Sequence, residues 1–412
     1  MARFITAGIL VAALATLACG EAEPESAHRF EVETVDGAEI ATNRGGPRFA
    51  EPLFTLEEQL TLVQDLNNEE SLLYEPSDFA RAADGNYYVA DSGNGRIAVF
   101  DPTGQYLRSI GREGQGPGEF SDSFELQAPF DVEIQAFDSD AQRTQRFAFD
   151  GTFIDSVAVL TEGRAESLVR EPDGTLVFTR SESERDGDLY LQAAIIGVIP
   201  SDADGPIAEV TTDSMVTYVT STLVTEEFAA TVLMQVPFGG TPLAFRRGDG
   251  LVLVNGESGQ VEWRTEDGAL QRRSLIERPP LPVTESMRQA NAEEYQAARE
   301  RLAGLGNEYP EPPEPWYPEV SGWWNRGHLD DVGYLWLRDA AQATLAREGE
   351  ETRYEILSPD GEYLGHVFLP TSDFRVQEGT ILARDQDPVT EEARLRVFRL
   401  RPSAPGFTYP EP

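Results

Sequence analysis

Residues 78–120 read DFARAADGNYYVADSGNGRIAVFDPTGQYLRSIGREGQGPGEF and indicate how the rest of the chain is organised. Turn-forming residues at 84–86, 91–95 and 102–104 divide the stretch into four short runs that are rich in aromatic and β-branched residues. Four short strands joined by tight turns predict an antiparallel meander. The glycine-rich remainder, 111–120, leads to the next part of the chain.

Weaker copies of this unit fill most of the remaining sequence. The second copy lies 47 residues downstream, and its equivalent pairs are Asp84 and Asp131, Asp91 and Asp138, Phe100 and Phe147, Gly104 and Gly151, and Tyr106 and Phe153. Four further copies begin near residues 168, 249, 331 and 374. In the third copy, the run 216–224 either extends the same unit or bridges to the next. Repeats of about 40–50 residues are typical of propeller blades.

The first unit resembles the NHL repeat family. The matching residues are Tyr88-Val89-Ala90-Asp91-Ser92, Asn94, Arg96-Ile97, Val99-Phe100-Asp101, Gly104, Ile110-Gly111 and Gly116-Pro117-Gly118-Glu119-Phe120. The resemblance implies a closed β-propeller, usually with six blades. We therefore predict an all-β, six-bladed propeller over 29–402. The strand-like run 52–66 should supply the outer strand of the last blade, because this closes the ring and removes a free sheet edge.

The chain begins with the features of an export signal. A charged start at Arg3 is followed by the apolar run 4–17, which is too short to span a membrane comfortably. The only cysteine, Cys19, follows directly and looks like the lipidation site of a bacterial lipoprotein. The alternative is a plain secretory signal with an incidental cysteine. We predict a signal peptide over 1–18, a flexible tether over 19–28 and a lipid anchor in the cell envelope, at the outer membrane or facing the periplasm.

The composition of the 412 residues narrows the possible partners. Lys and Arg total 33 against 72 Asp and Glu, which gives a formal net charge of −39. Such a chain repels nucleic acid, because nucleic-acid binding depends on neutralising phosphates. We expect the charge to keep the protein solvated and monomeric, and binding of a cation or cationic ligand is the alternative. A single cysteine excludes internal disulfides.

One segment departs from the strand pattern. Residues 284–305 place apolar side chains on one helical face, and 308–318 are rich in proline. We predict a helix and an extended strap, together 281–319, inserted between blades four and five, and a C-terminal tail over 403–412. The candidate binding surface at this insertion consists of Trp316, Tyr317, Trp323 and Trp324. The alternative is that these aromatic rings pack the insertion onto blade five.

The second strand of each predicted blade ends on a polar residue. The six candidates for a ring around the channel are Asp91, Asp138, Arg180, Asn255, Asp339 and Asp385. Carboxylates suit a hard cation such as calcium, whereas the alternative is that each side chain caps its own turn by bonding backbone amides. The only histidines, His28, His328 and His366, are too scattered to predict a zinc site with three histidine ligands.

These observations leave two classes of function open. The first is a binding or scaffold module of the cell envelope that recognises a protein, a peptide or a glycan at a propeller face. The second is a hydrolase or lyase that is centred on the channel and depends on a calcium-type metal. We predict the first class, with no catalytic residues and no required cofactor. Several ligating side chains converging on one point in the channel would favour the second class.

Overall fold

Six β-sheets surround one central cavity in the computed structural model. The structure describes residues 28–410 except 63, 65–66, 128–129, 159–162, 202–207, 225–228, 249, 305–315, 347–349 and 387–392. The predicted signal peptide, Cys19 and most of the predicted tether lie outside the described residues. The prediction of an all-β, six-bladed propeller is confirmed.

The strands of the first half follow the predicted repeat. Three strands precede the first blade: β1 (Arg29–Val35), β2 (Ala38–Arg44) and β3 (Phe54–Thr61). Blade one consists of β4 (Pro76–Arg81), β5 (Tyr87–Asp91), β6 (Arg96–Phe100) and β7 (Tyr106–Ile110). Its link to the next blade holds β8 (Arg112–Glu113) and β9 (Glu119–Phe120). Blade two consists of β10 (Phe124–Gln127), β11 (Ile134–Asp138), β12 (Arg143–Phe147) and β13 (Phe153–Ala158).

The later blades are more varied. Blade three consists of β14 (Ser167–Arg170), β15 (Leu176–Asp186), β16 (Leu189–Ile199), β17 (Ala208–Thr211), β18 (Met215–Val224) and β19 (Ala229–Gln235). Blade four consists of β20 (Pro242–Arg247), β21 (Gly250–Asn255), β22 (Gln260–Thr265) and β23 (Leu270–Glu277). The helix α1 (Glu285–Gly304) follows. Blade five consists of β24 (Trp324–Leu329), β25 (Leu335–Asp339), the helix α2 (Ala340–Leu345), β26 (Thr352–Leu357) and β27 (Tyr363–Leu369). Blade six contains β28 (Phe374–Gln377), β29 (Thr380–Gln386) and β30 (Ala393–Pro402).

Blades one and two show how the repeated sequence sets the strand pairing. Tyr87 pairs with Phe100 in blade one, and Ile134 pairs with Phe147 in blade two, at the same 47-residue offset. Each blade has a register irregularity at that same phenylalanine where its third and fourth strands pair. In blade one, Gly85 has a φ of +86° in the first turn, a conformation that glycine adopts without strain. The sequence repeat is therefore a structural repeat.

Blade three settles the alternative that the sequence left open. The run 216–224 belongs to β18, which pairs with the start of β16, while β17 pairs with the end of the same strand. β19 then pairs with β18 along its length. The extra strands therefore extend blade three and do not bridge to blade four.

The ring closes as the sequence predicts. β3 pairs antiparallel with β30, from Phe54 opposite Pro402 to Thr61 opposite Arg396, so the N-terminal segment supplies the fourth strand of blade six. Leu53 and Phe54 are buried in the core of that blade. Closure by a strand from the opposite end of the chain leaves blade six without an unpaired outer edge.

The N-terminal hairpin has a place that its sequence does not reveal. β1 and β2 form the expected hairpin, but β2 runs parallel to β23 and widens blade four to six strands. Asn43 then joins this edge to blade five: its amide donates to the Gly361 carbonyl at 2.9 Å and accepts from the Tyr363 N–H at 2.8 Å. The hairpin therefore connects two blades at the outer rim.

The predicted helix between blades four and five is present. Thr284 begins α1, because its hydroxyl accepts from the Met287 N–H at 3.3 Å. Met287 packs on Phe238, Val283 and Ala341, so the start of the helix is held against the propeller. Residues 308–315, which are most of the predicted proline-rich strap, lie outside the described residues. None of the described helices is long and apolar enough to cross a membrane.

The segment predicted as a C-terminal tail is packed on the propeller. Ala404 and Phe407 are buried in the core of blades five and six. The Phe407 ring makes edge contacts with Phe49 and Phe54, with centroids 5.5 and 5.2 Å apart. Residues 403–410 therefore reinforce the closing strand and contribute to the structural core.

Candidate functional site

The first strands of the six blades surround a cavity of about 900 Å³. We call the end at which these strands begin the upper mouth and the end at which they turn into the second strands the lower mouth. The charged lining residues are Asp78, Glu125, Asp131, Arg246, Arg247, Arg326, Asp330, Asp331, Asp373, Arg375 and Glu378. Seven carboxylates therefore face four guanidinium groups, and the cavity has the same sign of charge as the whole chain.

Arg375 ties three blades together near the upper mouth. Its guanidinium donates to Asp78 of blade one at 2.6 Å and to the Leu126 carbonyl of blade two at 3.0 Å. The same Asp78 oxygen accepts from the Leu126 N–H at 3.1 Å. Burial raises the pKa of Asp78, and the Arg375 charge opposes that rise. This network gives the wall between blades six, one and two a defined shape.

Glu125 is the carboxylate that this network leaves uncommitted. Among the described residues, nothing forms a hydrogen bond or an ion pair with its side chain. Solvent in the cavity reaches the carboxylate, yet protein surrounds it, so burial and the nearby Asp78 charge raise its pKa. An unpaired carboxylate in this position can accept hydrogen bonds from a ligand or balance a positive charge.

A second charged group lies on blades five and six. Asp373 pairs with Arg384 and lies 3.8 Å from Arg326. His328 packs its ring against Phe374 with centroids 4.3 Å apart. Burial, together with the Arg326 and Arg375 charges, lowers the pKa of His328 to about 3, so the imidazole is neutral. Its Nε2 is buried and has no hydrogen-bond partner in the described part of the chain.

The lower mouth is held by the C-terminal segment. Asp330 accepts hydrogen bonds from the Trp336 indole at 2.9 Å, from the Tyr334 N–H at 2.7 Å and from the Tyr409 hydroxyl at 2.5 Å. Burial raises the pKa of Asp330, and the Tyr409 and Trp336 hydrogen bonds oppose that rise. This carboxylate therefore has a structural role, which is to fix the last residues of the chain beside the cavity.

A smaller cleft of about 390 Å³ adjoins the cavity between blades three and four. Aliphatic and aromatic side chains form most of its wall: Val169, Val177, Ile196, Ala244, Phe245 and Leu329. Ser167, Thr179, Glu171 and Arg246 are the polar side chains of its lining. The cavity therefore has a side chamber whose lining is of mixed polarity, with carbon atoms in the majority.

Asp91 and Asp138 serve the turns in which they lie. Asp91 is fully buried and accepts from the Tyr74 N–H at 2.7 Å, from Asn94 at 2.9 Å and from Arg96 at 2.8 Å. Asp138 is also fully buried and accepts from the Ala141 N–H at 3.0 Å and from Ser121. Both carboxylates have the capping role that the sequence left as the alternative to a cation site.

The other four ring candidates are also engaged within their own blades. Arg180 pairs with Glu182 and Glu209, Asn255 accepts from the Glu257 and Ser258 N–H groups, Asp339 caps α2 through the Gln342 N–H, and Asp385 pairs with Arg394 and Arg396. None of the six is among the residues that line the cavity. The predicted ring is therefore corrected: first strands form the channel wall, and these residues lie on second strands.

The predicted aromatic binding surface is divided between core and surface. Trp324 is fully buried and donates its indole N–H to Glu355 at 2.8 Å. Trp323 is also buried, with the Arg278 guanidinium 3.7 Å from its ring centroid. Tyr317 packs on Phe238. Of the four candidates, Trp316 alone is exposed, at 42%. The prediction of a four-residue surface is wrong for Trp323 and Trp324, because they pack blades four and five together.

The remaining metal candidates are dispersed. His28 contacts the Gly46 carbonyl at 3.0 Å and Glu362 at 3.2 Å on the outer rim, and His366 lies on an outer strand of blade five. Across the described residues, no group of three or more His, Cys, Asp and Glu is placed to hold a metal ion.

Sequence reasoning missed the residues that the cavity uses. Glu125, Arg326, His328 and Arg375 all lie on first strands, whereas the six predicted ring residues lie on second strands. A usable signal was present, because charged side chains interrupt short strands that otherwise carry apolar residues. Nothing in the local sequence shows which of these strands face one another across the ring.

A comparison with protein families agrees with the fold. A family model described as a 6-bladed β-propeller (DUF5128) matches residues 66–189, which hold blades one and two and the first two strands of blade three. No curated protein matches the chain.

Several solved structures resemble the chain at low identity. A Bacteroides fragilis NCTC 9343 protein described as exported is 12% identical, with 88% of this chain and 99% of that chain covered and a TM-score of 0.49. A member of the DUF4221 family from Bacteroides vulgatus ATCC 8482 is 11% identical, with coverages of 85% and 98% and a TM-score of 0.44. A catalytically inactive virginiamycin B lyase from Staphylococcus aureus, with quinupristin, is 12% identical, with coverages of 84% and 100% and a TM-score of 0.38.

Proposed function

We propose that this six-bladed β-propeller is an exported binding protein of the cell envelope whose ligand is a small molecule held in the central cavity. The observation that carries the proposal is the cavity itself. Its volume of about 900 Å³ lies within the range of small-molecule sites, roughly 300–1,000 Å³. Glu125 offers a carboxylate there that no other described residue binds.

The rigidity of the wall supports binding over a purely structural role for the cavity. Arg375 fixes blades six, one and two, and Gln377 exchanges hydrogen bonds with the Arg81 backbone at 2.6 and 3.2 Å. Polar groups that are held in place before a ligand arrives lose little conformational entropy on binding. The arrangement therefore suits recognition of a specific small molecule.

The position of the predicted anchor is compatible with this role. Lipid attachment at Cys19 is our proposal from the sequence 1–20. The described chain starts at His28, which lies on the outer rim beside Gly46 and Glu362. His28 is not among the residues that line the cavity, so the described chain begins away from the proposed binding site.

Binding at a propeller face is the other form of this proposal. A protein, peptide or glycan would contact the exposed part of the insertion, where Trp316 is 42% exposed and Leu281 is 51% exposed. The buried positions of Trp323 and Trp324 leave that surface smaller than the sequence predicts. We therefore favour the cavity, and we expect the protein to act as a monomer.

A pair of substitutions tests the cavity. Ser167→Trp introduces a large side chain at a position that lines both the cavity and the cleft, and Ser183→Trp is the control at an exposed position of β15. The melting temperature of each full-length variant is measured against sets of amines, sugars, carboxylic acids and dipeptides, with calcium chloride as a separate addition. A stabilisation that Ser167→Trp abolishes and Ser183→Trp retains is expected. Binding in the cavity would be refuted if every stabilising ligand stabilised both variants equally, or if no ligand stabilised the protein.

The anchor has its own test. Cys19→Ala should abolish incorporation of labelled palmitate in a bacterial host and move the protein from the membrane fraction to the soluble envelope fraction. Retention of the label, or of membrane association, would contradict a lipid anchor at Cys19.

A further inference from the structure

The cavity and the cleft form one continuous space. Ser167, Phe245, Arg246, Gly248 and Leu329 line both of them. The cleft extends outward between β14–β16 of blade three and β20 of blade four. A ligand in the cavity can therefore extend one end into the cleft while its other end stays in contact with the charged residues that line the cavity.

The two ends of this space differ in chemistry. Val169, Ala244 and Phe245 are only half-buried and offer carbon atoms in the wall of the cleft, so the cleft can receive an aliphatic or aromatic group. The upper mouth of the cavity carries Glu125 and Asp78, so its surface is polar and acidic. A ligand that complements both ends is elongated and amphipathic.

The junction between the two ends carries polar groups that can form hydrogen bonds with an uncharged part of a ligand. The hydroxyls of Ser167 and Thr179 lie 2.7 Å apart there. Arg246 is held by Glu171 at 3.3 Å and by Glu266 at 2.6 Å, and its Nη1 is buried with no hydrogen-bond partner among the described residues. Two carboxylates already balance the guanidinium charge, so a neutral acceptor such as a carbonyl or hydroxyl oxygen fits better than an anion.

The charged residues at the polar end of the cavity determine which polar group of the ligand is preferred there. Arg375 is committed to Asp78 and the Leu126 carbonyl, and Arg326 lies 3.8 Å from Asp373. Glu125 has no described cationic partner. An ammonium group beside Glu125 would gain a charge-assisted hydrogen bond, whereas a carboxylate there would be repelled by the Glu125 carboxylate itself.

We propose that the cavity and the cleft together bind one elongated amphipathic amine, with its apolar part between blades three and four and its ammonium group beside Glu125. A carbonyl or hydroxyl in the middle of the ligand would accept from Arg246 at the junction. The inference rests on the proposed function, because it names the chemical class of the ligand for the same cavity.

A set of probes with one common tail tests the charge preference. Octylamine, octanol and octanoate are titrated calorimetrically into the full-length protein at pH 7.5 and at constant ionic strength. Octylamine is expected to bind at least tenfold more tightly than octanoate, with octanol between them. Equal binding of octylamine and octanoate would overturn the assignment of a cationic ligand.

Substitution at Glu125 separates a local effect from attraction by the total charge of −39. Glu125→Gln should weaken octylamine binding at least fivefold and leave the affinity for octanol unchanged. Glu33→Gln removes one charge from the exposed strand β1 and should change neither affinity. Equal losses in the two variants would mean that the protein attracts amines without a site, and the inference would fall.

Two variants that narrow the cleft test the apolar end. Ala244→Leu and Val169→Phe each add carbon atoms to its wall, and the second protects the test if the first does not fold. Each variant should weaken the binding of octylamine and of octanol by similar factors, because the two probes share the same tail. Unchanged affinity in a folded variant would place the tail elsewhere and overturn the proposal.

The outcomes also separate this inference from the proposed function. A sugar or carboxylic acid whose binding is abolished by Ser167→Trp would leave the cavity as the binding site and refute the amine. Absence of any effect of Ser167→Trp on any ligand would refute both.

Discussion

Arg375 of blade six binds Asp78 of the neighbouring blade one near the upper mouth, and their charged atoms lie 2.6 Å apart. The two residues are 297 positions apart in the sequence, and both side chains are largely buried. Their contact joins the last blade to the first on the channel side, while β3 joins blade six to the N-terminal segment at the outer rim. The ring is therefore closed at both its inner and its outer radius.

Arg375→Met should destabilise the protein by about 3 kcal/mol, because breaking a buried ion pair leaves one charge without compensation. The free energy of unfolding in urea measures the loss. The double variant Arg375→Met/Asp78→Asn is the control, and it should recover much of that stability because no unpaired charge remains. An equal loss in the single and double variants would show that Arg375 acts through packing alone.

Glu125→Gln should raise the melting temperature at pH 7.5. Burial and Asp78 hold the pKa of Glu125 above its ordinary value, so the folded state binds that proton more tightly than the unfolded state. Stability from this group therefore rises as the pH falls through the pKa of the folded state and is lost as the pH rises. The advantage of Glu125→Gln should accordingly shrink toward pH 4.5. Glu33→Gln is the matched control, and a pH-independent difference between Glu125→Gln and wild type would contradict this account.

Phe54→Ala should cost about 3–5 kcal/mol, the usual range for removing a buried aromatic ring. Phe54 stacks on Trp336 at 5.5 Å between centroids and contacts Phe407 and Tyr409 at 5.2 Å. Loss of this ring should also speed hydrogen exchange in both β30 and residues 403–410. Val32→Ala, at an exposed position of β1, is the control and should have little effect. Faster exchange confined to β3 would argue against a shared closing unit.

Trp324→Ala should destabilise the protein by about 3–5 kcal/mol, whereas Trp316→Ala should have an effect within about 0.5 kcal/mol. Trp324 is fully buried and its loss leaves Glu355 without one hydrogen bond, whereas Trp316 is exposed. Urea unfolding followed by tryptophan fluorescence measures both. A strong effect of Trp316→Ala would mean that the strap contributes more to the core than the described contacts show.

Asp91→Ala should cost about 1–3 kcal/mol with or without calcium, because the lost interactions are with Tyr74, Asn94 and Arg96. Thermal melting in calcium chloride and in a chelator checks this expectation. The wild-type melting temperature should be the same in both solutions. A fall on chelation that Asp91→Ala abolishes would revive the calcium site and, with it, the metal-dependent hydrolase or lyase.

Much of the architecture was predictable from the sequence because its signals are local. The turns around Gly85 and Gly104, and the 47-residue offset from Phe100 to Phe147, require only short-range backbone geometry and repeated burial. The helix α1 was predictable for the same reason, since its periodicity and its cap at Thr284 lie within one segment. The closing strand β3 followed from the need to pair the outer edge of blade six.

The repeat, the six blades and the closure can be read from the amino-acid sequence alone, because each follows from residues that are neighbours or from a rule about sheet edges. The site became visible only in the folded chain. Arg375, Asp78 and Glu125 meet because six first strands converge on one axis, and residues 297 positions apart become hydrogen-bonded there. The same convergence turned Trp323 and Trp324 into core residues and left Asp91 in its own turn. Side-chain proximity across a closed ring depends on the summed geometry of all blades, which no single segment encodes.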